Sequence, residues 1–254
     1  MVKAAALGPL ETLGPLIHNP QVVARLQESG VQAVESLSQV KSGKVVFPSH
    51  GVRYDIRETA EKSGLRIIDA TCPFVTKVHQ RARDLAKSGY TVVVVGDASH
   101  SEVRGILSAA GRDALAVSSA DEVRGKEWSG KVGIVAQTTQ LSDRFAEVVG
   151  AVAKSAQEVR AFNTICYATA LRQNAALDLA KRVDVMFIVG GRNSANTARL
   201  CEICRQAGVP TYHVETSAEI QLEWLAGKKL AGMSAGASTP DWIIEEVKQR
   251  LESI

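Results

Sequence analysis

A chain of 254 residues with a formal net charge of +3 can bury a sizeable core, as one large domain or two to three small ones. Its 5% aromatic content and many small aliphatics suit α/β layers, and its dispersed basic residues, not interleaved with aromatics, argue against a nucleic-acid partner. No apolar run approaches the ~20 residues of a membrane span and the opening MVKAAALGPLETLG has no signal-peptide core, so no membrane partner and a cytoplasmic location are expected, where the four cysteines read as thiols or metal ligands rather than disulfides.

In chain order, a first strand pattern ends at Gly14 within ETLGPLIHNPQVV, with His18 four residues on. VVFPSHGV comes next, an apolar run ending in a polar tip that carries His50. Cys72 then opens a helix of about four turns, succeeded by the strand TVVVVG, a polar loop with His100 four residues after Gly96, and a second helix. KVGIVAQTT is the next apolar run, tipped by Gln137, Thr138 and Thr139. Cys166 opens another such stretch, with the strand VDVMFIVG, Ser194 four residues after Gly190, and a last run LAGMSAGAST that carries Ser238.

The two cysteine-led stretches align without a gap at an offset of 94, so that Asp84, Leu85, Ala86 and Lys87 fall on Asp178, Leu179, Ala180 and Lys181. A period this long means repeated small domains and not a solenoid. The expected fold is therefore α/β: three similar small units with parallel sheets, at residues 1–71, 72–163 and 164–254, in a pseudo-threefold trefoil around a central site. In both complete copies the cysteine precedes the strand-ending glycine by 24 residues. For the first copy that position falls before residue 1, so the place of an expected third cysteine is not in this chain, and the first unit is read as incomplete at its N-terminus.

Each unit offers two loops at strand C-terminal ends, where α/β sheets bind ligands. Their residues are His18, His50, His100, Glu102, Gln137, Thr138, Thr139, Ser194, Asn196 and Ser238. Histidines, hydroxyls, an amide and helix N-terminal N–H groups can cradle a phosphate or diphosphate. Glu102 is the one carboxylate of the set, and beside Thr138 it can relay a proton to a leaving hydroxyl. Each residue alone also reads as a cap or a surface polar group; their recurrence at corresponding tips favours a site. No histidine pair lies i, i+4 on one helix, so zinc has little support.

Cys72 and Cys166, at equivalent positions and each opening a helix, are read as convergent ligands of one centre, and soft thiolates suit an iron–sulfur cluster. Cys201 and Cys204 form a C-x-x-C whose i, i+3 spacing places both on one helix face; metal ligation stays open, with packing the favoured reading. His79 and His213 lie in a helix and a strand and read as structural. VGGRNSAN lacks the G-x-G-x-x-G spacing of a dinucleotide fingerprint.

The stretches LGPLIHNPQVV, PSHGV, DATCPFVTKVH, HSEVRG, QTT, NTICYAT, GGRNSANTARL, TYHVET and SAGASTPDWII, running from about residue 12 to the end, resemble the 4-hydroxy-3-methylbut-2-enyl diphosphate reductase family. That resemblance implies three α/β domains in a trefoil around a [4Fe–4S] cluster held by three cysteines. It implies reductive dehydroxylation of an allylic diphosphate to isopentenyl and dimethylallyl diphosphates, the last step of the non-mevalonate pathway, with electrons from a ferredoxin or flavodoxin. Carried over, Cys72 and Cys166 match the second and third cluster ligands. His18, His50 and His100 match the diphosphate-side histidines, and Ser194, Asn196 and Ser238 the other diphosphate contacts. Glu102 matches the proton-relay acid and Thr138 its hydroxyl partner, which also lies at the substrate. Ala195 stands where members have serine or glycine, and HSEV departs from the commoner H-P-E-V.

The family's G-F-C-F-G-V-like segment, source of the first ligand, has no match; MVKAAALGP resembles a shortened remnant of the residues just C-terminal to that segment. The expected cluster therefore lacks its third cysteine ligand, and the first unit is expected to have an incomplete sheet edge. Cys201 and Cys204 lie too far along their helix to substitute. Two other readings fit the same residues: a cluster-less diphosphate-binding relative without redox activity, and an interaction protein that takes the missing strand and thiolate from a partner chain.

Overall fold

The structure, a computed structural model, describes residues 9–128 and 130–254. Residues 1–8, most of the supposed remnant, lie outside them. The described backbone separates into two compact units, one of residues 9–17 with Val23–Cys166, the other of His18–Val22 with Tyr167–Ile254.

The first unit holds two four-stranded sheets. In the first, β1 (Leu10–Leu13), β2 (Val31–Val34), β3 (Lys44–Phe47) and β4 (Arg66–Asp69) lie in the order β2-β1-β3-β4. In the second, β5 (Thr91–Val95), β6 (Leu115–Val117), β7 (Lys131–Ala136) and β8 (Glu158–Ala161) lie in the order β6-β5-β7-β8. The second unit holds one sheet, β10-β9-β11, from β9 (Val185–Val189), β10 (Thr211–Val214) and β11 (Ala231–Ala235). Every pairing is parallel, as the alternation of apolar runs and helices requires. The parallel α/β class expected from the sequence is the class observed.

The helices are α1 (Pro20–Glu28), α2 (Tyr54–Lys62), α3 (Pro73–Lys87), α4 (Ser101–Ala110), α5 (Ser142–Val152), α6 (Tyr167–Ala180), α7 (Ala195–Gln206) and α8 (Asp241–Glu252). Among the described residues none is long and apolar enough to cross a membrane. They cover both sheet faces, which is why the strands read as unbroken apolar runs. In the second sheet, Val93, Val95, Ile134 and Ala136 pack with Phe145 and Val148 of α5. Val92, Val94 and Val135 pack on the other face with Val78 and Leu85 of α3 and Val103 and Ile106 of α4. In the third sheet Met186 and Ile188 face Leu200, Cys201 and Cys204, while Phe187 and Val189 face Ile243 and Val247.

The three sheets share loop geometry as well as order. The glycine after each first strand donates its N–H to the end of the neighbouring edge strand: Gly14 to Val34 O at 2.7 Å, Gly96 to Val117 O at 2.9 Å, Gly190 to Val214 O at 2.9 Å. The turn after each third strand closes with one bond: Gly51 N–H to Pro48 O at 2.9 Å, Gln140 N–H to Gln137 O at 3.0 Å, Thr239 N–H to Gly236 O at 3.0 Å. His50, Thr139 and Ser238 hold the same place in these turns.

Among the described residues the first sheet is not the short one. That sheet has four strands, and the three-stranded one, among the described residues, is the third. The reason is the source of the fourth strand. It is the segment that leads into the next cysteine: β4 pairs with β3 ahead of Cys72, and β8 with β7 ahead of Cys166.

Candidate active site

In the first unit, α4 delivers Glu102. Its N-cap is His100, whose Nδ1 accepts the Glu102 N–H at 3.1 Å. With Nδ1 acting as acceptor, the neutral imidazole carries its proton on Nε2, an assignment made from the hydrogen-bond network. The Glu102 side chain turns inward and is 3% exposed. Thr138, on the turn after β7, meets it twice, through its N–H to Oε1 at 2.7 Å and its hydroxyl to Oε2 at 2.9 Å. Burial raises the Glu102 pKa from 4.5 to about 7, against the opposing pull of those two bonds. The acid is thus poised to hold or release a proton near neutral pH. The threonine hydroxyl can donate to the carboxylate or accept from the acid, so the pair changes protonation state without moving heavy atoms.

The same threonine touches a cysteine segment. The Cys166 N–H donates to Thr138 O at 2.9 Å, and the Cys72 N–H donates to Ser49 O at 2.9 Å. Ser49 and Thr138 are equivalent turn residues, so the two cysteines are held in the same manner. Cys72 is the N-cap of α3, with Pro73 at its first position. Both thiols are free and half-buried. Among the described residues no three His, Cys, Asp or Glu side chains group as a metal-ligand set. His50 is buried in the turn after β3.

The second unit assembles a cradle. Ser194 caps α7, its Oγ accepting the Thr197 N–H at 3.4 Å. Asn196 is 4% exposed, and neither its amide oxygen nor its nitrogen has a partner among the described residues. An unmet buried amide is costly, and its NH2 group is a donor open to a ligand. Ser238 Oγ donates to His18 O at 3.2 Å, which brings His18 to the loops of the third sheet. Burial lowers the His18 pKa, which favours the neutral ring. Gly191 permits the approach: a Cβ there would sit 2.5 Å from His18 O.

The geometry therefore joins Glu102, Thr138, His100 and the Cys166 backbone in one hydrogen-bonded cluster, and Ser194, Asn196, Ser238 and His18 around another set of loops. Cys201 and Cys204 fall in neither. They are 2% and 0% exposed among Ala176, Met186 and Leu200, and burial pushes both thiols up to about 11, which makes them core residues. Two side chains have a more specific place than the sequence indicates. Gln137, one of the loop-tip candidates, accepts the Asp97 N–H on its Oε1 at 3.3 Å and ties the His100 loop to the Thr138 turn. His213 Nε2 bonds Gly190 O at 2.8 Å, behind the Ser194 loop. The only available signal is position, next to Thr138 and on the strand neighbouring β9.

A buried carboxyl with a pKa of about 7 at the strand ends of a parallel α/β sheet is the arrangement of an acid–base site. The LytB protein family matches residues 1–252. A relative from Trichlorobacter lovleyi, a 4-hydroxy-3-methylbut-2-enyl diphosphate reductase, is 49% identical over 96% of this chain and 87% of its own length. The Geobacter sulfurreducens enzyme of the same name is 46% identical over 96% and 87%. A solved structure of that reductase, described as the terminal enzyme of the non-mevalonate pathway, is 45% identical, covers 100% of this chain and 93% of its own, and superimposes with a TM-score of 0.68. The E-1-hydroxy-2-methyl-but-2-enyl-4-diphosphate reductase from Plasmodium falciparum is 28% identical, covers 99% and 80%, and reaches 0.92. The chain belongs to the LytB family, and the likeness read from its motifs holds over nearly its whole length.

Proposed function

We propose that this chain is a 4-hydroxy-3-methylbut-2-enyl diphosphate reductase, an oxidoreductase that converts its allylic substrate to isopentenyl and dimethylallyl diphosphates in the last step of the non-mevalonate pathway. Two electrons and two protons enter, the C–O bond to the hydroxyl breaks, and the oxygen leaves as water. The observation that carries this reading is the Glu102–Thr138 pair. A leaving hydroxide in a buried site is costly, and an acid with a pKa of about 7 protonates it to water. Thr138 orients the acid and passes the proton. The second proton ends on carbon.

The candidate donors for the diphosphate are His18, His50, His100, Ser194, Asn196 and Ser238. The imidazoles act here as N–H donors, and the unmet Asn196 amide nitrogen gains a partner on binding.

Cys72 and Cys166 are the chain's donors to a [4Fe–4S] cluster. They fit as far as they go: free, half-buried thiols with matching backbone anchors. They are a partial set, since no third candidate ligand groups with them among the described residues. When bound, such a cluster would supply the electrons, with a ferredoxin or flavodoxin as the donor that recharges it. A reducing cytoplasm keeps the thiols available.

The test is anaerobic reconstitution with iron and sulfide, then turnover of the diphosphate with reduced methyl viologen as donor. Brown protein that forms isopentenyl diphosphate is the expected result, with Glu102→Gln retaining substrate binding but losing turnover. Colourless protein that still binds the diphosphate would instead indicate the cluster-less binding relative.

A further inference from the structure

His79 lies on α3 and reads from sequence as structural. Its surroundings are more particular than that. The ring rests on Gly105 of α4, where an added Cβ would lie 2.9 Å from His79 Nε2 and 3.0 Å from Cε1. It also lies against Gly51, where a Cβ would lie 3.1 Å from Cε1. Gly105 is one turn beyond Glu102 on the same helix, Gly51 is the residue after His50, and α3 is the helix that Cys72 opens. A flat ring therefore fills a slot whose walls are bare backbone at two positions.

The fit is made with a polar ring at some cost. Nε2 is buried and has no hydrogen-bond partner among the described residues. Burial, with Arg83 and Arg57 against the opposing Asp69, lowers the His79 pKa to about 4, so the ring is neutral at working pH. A cavity of about 490 Å³, lined by Arg57, Thr71, Thr76 and Arg83 among others, abuts the ring and reaches Gly105. Thus the imidazole stands between a polar cavity and the α3–α4 seam.

We propose that His79 is a positioning residue for the reaction: its ring, seated on Gly105, sets the spacing of the Glu102 helix from the Cys72 helix and keeps cavity water out of the seam that leads to Glu102. This rests on Glu102 being the proton donor. The two ideas fail separately. Full turnover by Glu102→Gln would sink the donor role, whereas the behaviour of Glu102 in His79 variants bears on His79 alone.

The decisive measurement needs no cluster. ¹³C NMR of the side-chain carboxyls tracks the Glu102 titration in the intact chain, with Glu102→Gln for assignment. In His79→Ala the midpoint should fall from about 7 by about one pH unit or more, because admitted water relieves the burial that raised it. In the reconstituted enzyme kcat should drop about tenfold with KM nearly unchanged. Gly105→Ala forces a methyl into the occupied seam and should lower kcat similarly. The double variant, in which that methyl enters the space the ring vacated, should recover most of the loss. An unchanged Glu102 midpoint in His79→Ala, or a double variant no better than Gly105→Ala, overturns the proposal. Should His79→Ala not fold, wild-type turnover by Gly105→Ala overturns it and a kcat loss at constant KM supports it.

Discussion

Thr138 grips both oxygens of Glu102, by its N–H at 2.7 Å and its hydroxyl at 2.9 Å, while its own carbonyl accepts the Cys166 N–H at 2.9 Å. One turn residue thus couples the acid to the segment that carries a thiol. The backbone bond is fixed by the turn, whereas the hydroxyl is free to rotate. Orientation and proton exchange are thereby divided between two atoms of one residue.

The raised Glu102 pKa links stability to pH. Its folded value of about 7 lies above the ordinary 4.5, so its contribution to stability is fully present below about 4.5 and is lost as pH rises through about 7. The difference corresponds to about 3 kcal/mol. Glu102→Gln, neutral at every pH, should match the parent in urea unfolding at about pH 4 and exceed its stability by up to that amount at about pH 8. Turnover by the parent should decline as pH rises through about 7. A flat stability difference across this range would show that the carboxyl is not desolvated.

Thr138→Val removes the hydroxyl and keeps the N–H and the shape. Because both bonds from Thr138 oppose the effect of burial, losing one should raise the Glu102 pKa further and move the alkaline decline of turnover to higher pH. kcat at neutral pH should fall by about tenfold or more, with KM nearly unchanged. A pH profile displaced to lower pH would mean that water had replaced the hydroxyl.

The two cysteine pairs should separate chemically. At about pH 8, iodoacetamide should label Cys72 and Cys166 well before Cys201 and Cys204, whose thiols are buried and pushed up to about 11. Peptide mass mapping reads the order. After reconstitution, Cys72→Ser and Cys166→Ser should lose the cluster while Cys201→Ser keeps it, at a stability cost of about 1–3 kcal/mol for a buried hydroxyl. Loss of colour in Cys201→Ser would refute the core assignment.

Gly236, at the end of β11, has no room for a side chain. A Cβ there would lie 2.1 Å from Thr197 Oγ1. Gly236→Ala should destabilise the second unit by about 1–3 kcal/mol in thermal or urea unfolding. Thr197→Ala in the same chain should restore much of that, since the Thr197 hydroxyl is buried without a partner among the described residues.

Much of this protein is legible in sequence because the informative patterns are local. Helix and strand periods, the offset of 94 between Cys72 and Cys166, and the i, i+3 placement of Cys201 and Cys204 depend on neighbours within a turn or two. The parallel α/β class comes from them, and so does the favoured packing reading of the C-x-x-C pair, which burial in the third sheet's core then decides. The features that only the tertiary structure decided depend on atoms far apart in the chain. Glu102 has its raised pKa through burial and a threonine 36 residues away. His18 joins the third sheet's loops through Ser238, 220 residues distant. Among the described residues the three-stranded sheet is the third, because β4 and β8 each complete the sheet that precedes their cysteine. Desolvation and long-range hydrogen bonds have no period in sequence, so they appear only once the chain has folded.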